Sequence, residues 1–444
     1  MASGRTRALL AKAAGMLITI ALVLGGLVLV LLAMIAFMNA VKGTPVHCVD
    51  TLEGARFPSP GEPGFRTAMD LVTRAPLAPG HKVELFVNGD QTYPRLWDDL
   101  RAARSTITMQ MYYCETGGMA DTLRGILEER ARAGIRVLFL YDAFGSSFPK
   151  EYLAALRAAG VRLAPFRPLS LLTANKVQNR AHIRVVCVDG AVGWTGGFGI
   201  SDKWFGDGVS QGQWRDSNVR FTGPAVRQLQ AAFVACWAEA TGDLLVGHLL
   251  FPPEGGAAPS DGALGALLHG SPSVGSTEAE RFFAMSIASA RERLFITNSY
   301  FVPDEEFRQL IIAAAKRGVD TRVLTAGPET DVKSTLYAGR ARYEELLAGG
   351  VRVYEYKATM MHAKTLVVDG LWGACGSMNA DNRSLSFNEE TVLLMLDRDL
   401  GATLERHFME DLAHATEIDL ATFKRRGMVE RLKEHACHVP WRVL

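Results

Sequence analysis

Two stretches of this chain repeat the same residues at the same intervals: AHIRVVCVDGAVGWTGG, with His182, Arg184 and Asp189, and MHAKTLVVDGLWGACGS, with His362, Lys364 and Asp369. Gly196-Gly197 close the first copy where Gly376-Ser377 close the second. The likeness extends further. Tyr112 to Asp142 and Ser299 to Gly327 each read as a strand, an amphipathic helix, a glycine turn and another strand. Each copy also carries Leu-x-x-x-Gly-Val ahead of its histidine, at Leu156 to Val161 and at Leu346 to Val351. An internal duplication of this kind predicts two similar halves facing each other across a pseudo-two-fold axis, with two histidines in one site.

The chemistry of each copy points to phosphate. Thr365 to Val368 are β-branched or apolar and predict a buried strand, whose alternation sets His362 and Lys364 on one face. An imidazole attacks phosphorus or shuttles a proton near neutral pH, and an ammonium neutralises an anionic oxygen. The small Gly-Ser turn lets backbone N–H groups approach the same anion.

Lys+Arg 48 against Asp+Glu 47 leaves almost no net charge, which argues against a general nucleic-acid binder, so no nucleic-acid partner is expected. The 444 residues divide into residues 1–42, a transmembrane anchor; 43–82, a Pro/Gly-rich linker with one short helix; 83–248, the first lobe; 249–277, a Pro/Gly/Ala/Ser-rich inter-lobe linker; 278–420, the second lobe; and 421–444, a basic amphipathic tail. No charge falls between Ala13 and Val41, a run long enough to span a bilayer, and Arg5, Arg7 and Lys12 precede it. An uncleaved signal anchor with the body outside the cytoplasm follows from that asymmetry. Trp204 and Phe205, with Leu169, Leu171 and Leu172, are expected on loops rimming the site, where they would meet lipid.

Cys114, Cys187, Cys236 and Cys375 read as small buried hydrophobes. Cys48 and Cys437 stand apart near the two ends of the body, and an oxidising compartment would let them form a disulfide. With neither CxxC pairs nor HExxH, no metal and no cofactor is expected.

The duplicated HxKxxxxD pattern resembles the phospholipase D superfamily, and the flanking words resemble its bacterial cardiolipin synthase branch. They include Tyr141-Asp142-x-x-Gly145-Ser146, Asn179-Arg180, Trp214-x-Asp216, Phe233-x-x-x-Trp237, Tyr300-Phe301-x-Pro303-Asp304, and Gly376-Ser377-x-Asn379 followed by Arg383-Ser384 and Asn388-x-Glu390. The resemblance runs over roughly Val83 to Leu420. It implies an α/β fold of two similar lobes, each a mixed β-sheet flanked by helices, and a cofactor-free phosphatidyl transfer through a phosphohistidine. The partners implied are phospholipid and the bacterial inner membrane, with the body on the outer or periplasmic side. By the same resemblance His182 is the nucleophile and His362 the acid/base; Asp216 and Glu390 hold the histidines' far nitrogens; Arg184, Lys364, Asp189 and Asp369 complete the catalytic motifs. Gly196, Gly197, Ser377 and Asn379 would bind substrate.

Two positions depart from that pattern, both in the first half: Arg184 stands for the usual Lys, and Gly199 for the Asn of GGxN. Three functions compete on this reading: a membrane-anchored cardiolipin synthase; a phosphodiesterase of the same superfamily, either lipid hydrolase or nuclease; and a lipid-binding protein without turnover, for which a lost motif histidine would be expected.

Overall fold

The computed structural model describes residues 2–41, 44–168, 179–253, 261–272 and 277–439. Helix α1 (Ala2–Val41) forms over the uncharged run, and its described side chains from Ala14 to Val30 are all exposed. Among the described residues, no helix is long and apolar enough to cross a membrane. Helix α2 (Phe65–Thr73) follows in the segment expected as a linker.

The first half comprises β1 (Ala78–Val87), α3 (Asn88–Arg101), β2 (Thr106–Met111), α4 (Gly118–Arg132), β3 (Arg136–Asp142), α5 (Lys150–Ala158), β4 (Arg162–Phe166), β5 (Val185–Val188), β6 (Val192–Gly196), β7 (Ser217–Thr222) and α6 (Ala225–Thr241). The second begins with β8 (Ala263–Gly270), α7 (Glu278–Ser289), β9 (Arg293–Asn298), α8 (Glu305–Lys316), β10 (Asp320–Ala326), α9 (Lys333–Arg340) and α10 (Tyr343–Ala348). It continues through β11 (Arg352–Tyr356), β12 (Lys364–Val368), β13 (Trp372–Gly376), α11 (Asn382–Ser386), β14 (Glu390–Leu396) and α12 (Arg398–Asp411). After it come β15 (Ala415–Glu417), α13 (Leu420–Lys424) and α14 (Met428–His438).

The strand order is β15-β11-β10-β9-β12-β13-β14-β8-β1-β7-β6-β5-β2-β3-β4. Leaving out β15, it reads the same from either end once β8 is matched with β1, so the duplication is visible in the topology. In each half three strands are parallel, β2-β3-β4 and β9-β10-β11, and the rest antiparallel. The halves join where β1 pairs with β8 and lie against each other where β6 and β7 meet β13 and β14. Alternation sends Phe295, Val367, Cys375 and Leu393 into the core shared with the first half, and Leu294, Leu366, Ala374 and Leu394 into the second half's own core. Buried on both faces, these strands read as apolar runs.

Three expectations are corrected here. Residues 249–277 contain β8, a central strand: ALGALLHG is too short-sided and too unalternating to look like one, yet small residues are what the spot demands, since a Cβ on Gly265 would meet the His81 ring at 3.2 Å. The linker over 43–82 is part of the body, because α2 packs on α7 and its Phe65 and Met69 enter the second core. Cys48 and Cys437 are both free thiols, so no disulfide joins the ends.

Candidate active site

His182 and His362 lie just ahead of β5 and β12, each on a short backbone bridge to the opposite half. Glu389 N–H donates to Arg180 O at 2.9 Å, and Arg215 N–H to Met360 O at 2.9 Å, with Ala181 paired to Glu389 and Arg215 to Met361. Each bridge sets the next two residues side by side. His182 Nδ1 therefore lies 2.9 Å from Glu390 Oε1, and His362 Nδ1 3.0 Å from Asp216 Oδ2. Every histidine is held by the other half's carboxylate, which leaves both Nε2 atoms for chemistry.

The residues flanking the bridges are locked as well. The Arg215 guanidinium forms a two-pronged buried pair with Asp411 at 2.7 Å. In the second bridge Glu389 takes the equivalent place; it accepts from Arg167 Nη2 at 3.4 Å and Ser271 Oγ at 3.2 Å and lies 3.0 Å from His269 Nε2. Cys236, His269 and Glu389 are the one metal-capable group among the described residues, their ligand atoms within 4.8 Å of each other.

The cations sit symmetrically. Arg184 Nη1 donates to His182 O at 2.6 Å, and Lys364 Nζ to His362 O at 2.5 Å and Ser299 Oγ at 2.7 Å. Arg184 lies 5.7 Å from the centre of the Tyr112 ring and Lys364 5.9 Å from that of Tyr300. A cavity of about 400 Å³ opens beside them, lined by both histidines, Arg184, Asn379, Arg383 and an aromatic wall that includes Tyr112, Tyr300 and Trp214, with Lys364 outside its lining. Asn379 Oδ1 is buried without a partner, so it is a polar group left over for a ligand.

Burial dominates the electrostatics and treats the two pairs differently. For His182, burial and then Arg184 and Lys364 hold the imidazole well below its ordinary value, while burial pushes Glu390 up to about 8. Burial and Lys364 bring His362 down to about 4, against Asp216. At Asp216 burial is outweighed by His362, Lys364 and hydrogen bonds, and its carboxyl stays below the usual value. Asp216 is thus ionised and makes His362 the more basic imidazole. Lys364 is pulled to about 7 by burial.

Several expected site residues have other work. Asp189 and Asp369 do not reach the cavity: with φ of 55° and 52° they open the glycine turns after β5 and β12. Asp189 accepts the backbone N–H groups of Arg104, Ser105 and Thr106, and Asp369 those of Arg291, Glu292 and Arg293. They fasten hairpins. Ser377 Oγ donates to Glu390 Oε2 at 2.5 Å and so holds the carboxylate, not substrate. Gly196 and Gly197 provide clearance: a Cβ on Gly197 would lie 2.2 Å from Asp216 Oδ1.

Trp204, expected on a lipid-facing loop, is buried in the site. Its Nε1 donates to Asp216 Oδ2 at 2.8 Å and its ring meets His362 edge-on at 5.2 Å. The same ring explains Gly199, where a Cβ would come within 3.0 Å of it. Phe205 is half exposed, and Leu169, Leu171 and Leu172 lie outside the described residues. Tyr112 and Tyr300 join the site from positions one residue apart in the repeat, which aligns Tyr112 with Ser299 and Tyr113 with Tyr300; Tyr112 meets His182 edge-on at 4.9 Å.

The family profile "Cardiolipin synthase, PLD-like domain" matches residues 284–412. A cardiolipin synthase of Geobacillus kaustophilus is 35% identical over 366 residues, 81% of this chain and 72% of that protein. Cardiolipin synthase A of Pseudomonas fluorescens is 34% identical over 82% of this chain and 75% of its own length. Among solved structures, phosphatidylserine synthase of Haemophilus influenzae shares the fold at a TM-score of 0.63 and 12% identity, over 86% of this chain and all of that one. With its duplicated histidines in this frame, the chain belongs to the cardiolipin synthase family of phospholipase D-like proteins.

Proposed function

We propose that the chain moves a phosphatidyl group from one phosphatidylglycerol-type lipid to another, forming a cardiolipin. The observation that carries this reading is the pair of histidines, each held by a carboxylate of the other half, over one cavity. The names of the relatives favour transfer over hydrolysis. His182 Nε2, kept neutral, attacks phosphorus; the bond to the departing glycerol oxygen breaks, and that oxygen takes a proton from His362, whose protonated form the ionised Asp216 and the bound phosphodiester anion favour. The acceptor's hydroxyl then returns a proton to His362 and attacks, breaking the phosphorus–nitrogen bond. Arg184, Lys364 and the side-chain N–H of Asn379 stabilise the charge on the non-bridging oxygens.

The uncharged run from Ala13 to Val41 associates the chain with the inner membrane, and the basic residues before it keep the body on the outer or periplasmic side. Incubating the detergent-purified protein with phosphatidylglycerol, with and without phosphatidylethanolamine, tests the reaction by product mass. Cardiolipin with free glycerol is expected; phosphatidic acid alone would overturn transfer in favour of hydrolysis.

Two further outcomes follow from the cations. Arg184→Ala removes a charged contact at the cavity wall and lowers kcat/KM by roughly a hundredfold or more, whereas Arg184→Lys keeps most activity. An unchanged rate in Arg184→Ala would remove the residue from phosphate binding. Lys364, at about 7 in the free protein, loses its proton as pH rises through that value, so kcat/KM falls there. A bound phosphodiester anion favours the protonated amine, so kcat holds to higher pH. Lys364→Arg should abolish the fall, and a fall that persists would assign it to another group.

A further inference from the structure

Helix α14 is turned inside out. The side it lays against the body carries Glu434 and His438, 0% and 9% exposed, while Met428, Val429 and Leu432 point outward at 85%, 68% and 69%. At its end Val439 is 70% exposed. The inward polar groups are satisfied: Arg426 Nε donates to Glu434 Oε2 at 2.8 Å, and Arg342 Nε to His438 Nε2 at 2.9 Å, with His438 Nδ1 3.2 Å from Ala338 O. Phe423 of α13 packs on Tyr343 at 5.8 Å, which fixes the turn before α14. The helix is therefore seated by one ion pair and hydrogen bonds in an orientation that keeps its apolar stripe in water, where burial would be favourable by about 1.5–3 kcal/mol for each large side chain. Among the described residues nothing covers the stripe.

We infer that the outward face of α14 docks on an anionic phospholipid surface. Exposed Lys424, Arg425 and Lys433 flank the stripe, with Glu430 the one exposed acid on α14, a charge balance suited to acidic headgroups. The helix rests on α9, where Thr335 and the adjoining Val332 line the catalytic cavity, so docking would bring the cavity to the lipid that supplies it. This goes beyond the catalytic reading and uses only its premise that the substrate is a phospholipid.

Hydroxyl-radical footprinting of the full chain, in vesicles of phosphatidylcholine alone and in vesicles containing phosphatidylglycerol, tests it. Labelling of Met428 and Leu432 should drop by roughly fivefold or more in the anionic vesicles, while half-exposed Met409 on α12 labels equally in both. Equal labelling of Met428 and Leu432 in both overturns the proposal, as does protection that grows with protein concentration without vesicles, which would identify a second copy as the occupant. Met428→Ser with Leu432→Ser should lower turnover severalfold on anionic vesicles and leave turnover in mixed detergent micelles unchanged. Equal loss in micelles would overturn the docking role, whereas absent micellar turnover in the unaltered chain would sink the transfer reading and leave the footprint to stand alone.

Discussion

His182→Ala and His362→Ala each lower turnover by roughly a thousandfold or more, since each imidazole supplies a step the other cannot reach. The reason is positional: His182 answers to Glu390 and His362 to Asp216, and neither ring can swing to the other's carboxylate without leaving its own bridge. The two losses differ in kind. With a substrate whose leaving group needs no proton, His362→Ala should still accumulate a phosphatidyl adduct on the peptide containing His182, whereas His182→Ala should form none. Acid quenching followed by peptide mass spectrometry separates the cases. Normal turnover in either variant would dismiss the shared site, and an adduct on the His362 peptide would exchange the two roles.

Asp411→Ala destabilises the fold by about 3–5 kcal/mol, because it leaves the Arg215 guanidinium, 3% exposed, without its carboxylate. The cost extends to catalysis, since Arg215 also carries the bridge that aligns Asp216 with His362. Combining Asp411→Ala with Arg215→Met should recover much of the stability by removing the stranded charge. The exposed Arg352–Glu417 pair makes a control: Glu417→Ala there should cost only about 0–1 kcal/mol. Chemical denaturation measures all four chains. A small loss in Asp411→Ala would mean that water or another group reaches Arg215 and that the bridge does not depend on the pair.

The duplication made most of this site legible in advance. Matching the copies pairs His182 with His362 and Arg184 with Lys364, and the two acids that the resemblance names, Asp216 and Glu390, lie 3.0 and 2.9 Å from the histidines' Nδ1 atoms. What the sequence did not reveal is which carboxylates leave the site. Asp189 and Asp369 recur as faithfully as the histidines, but recurrence reports a shared fold as readily as shared chemistry, and their positive φ with three backbone donors apiece is a folding role. Strand β8 was hidden for the opposite reason: small residues fitted to a crowded centre look like a linker. Trp204 was misplaced because an aromatic in a glycine-rich loop carries no mark of direction. Tyr112 and Tyr300 were not readable from the duplication, because the repeat aligns Tyr112 with Ser299 and Tyr113 with Tyr300, and a tyrosine at a strand's end is so often mere packing.

Gly199 and Trp204 also constrain each other. With the indole in place, a side chain at 199 starts within 3.0–3.1 Å of it, and an asparagine amide would have to extend farther into the same space. An asparagine placed there alone therefore has to displace the ring that donates to Asp216 and meets His362 edge-on. The two copies of the motif are in this way not interchangeable: the second has room for Asn379, while the first fills the corresponding space with a ring that steadies the other half's histidine.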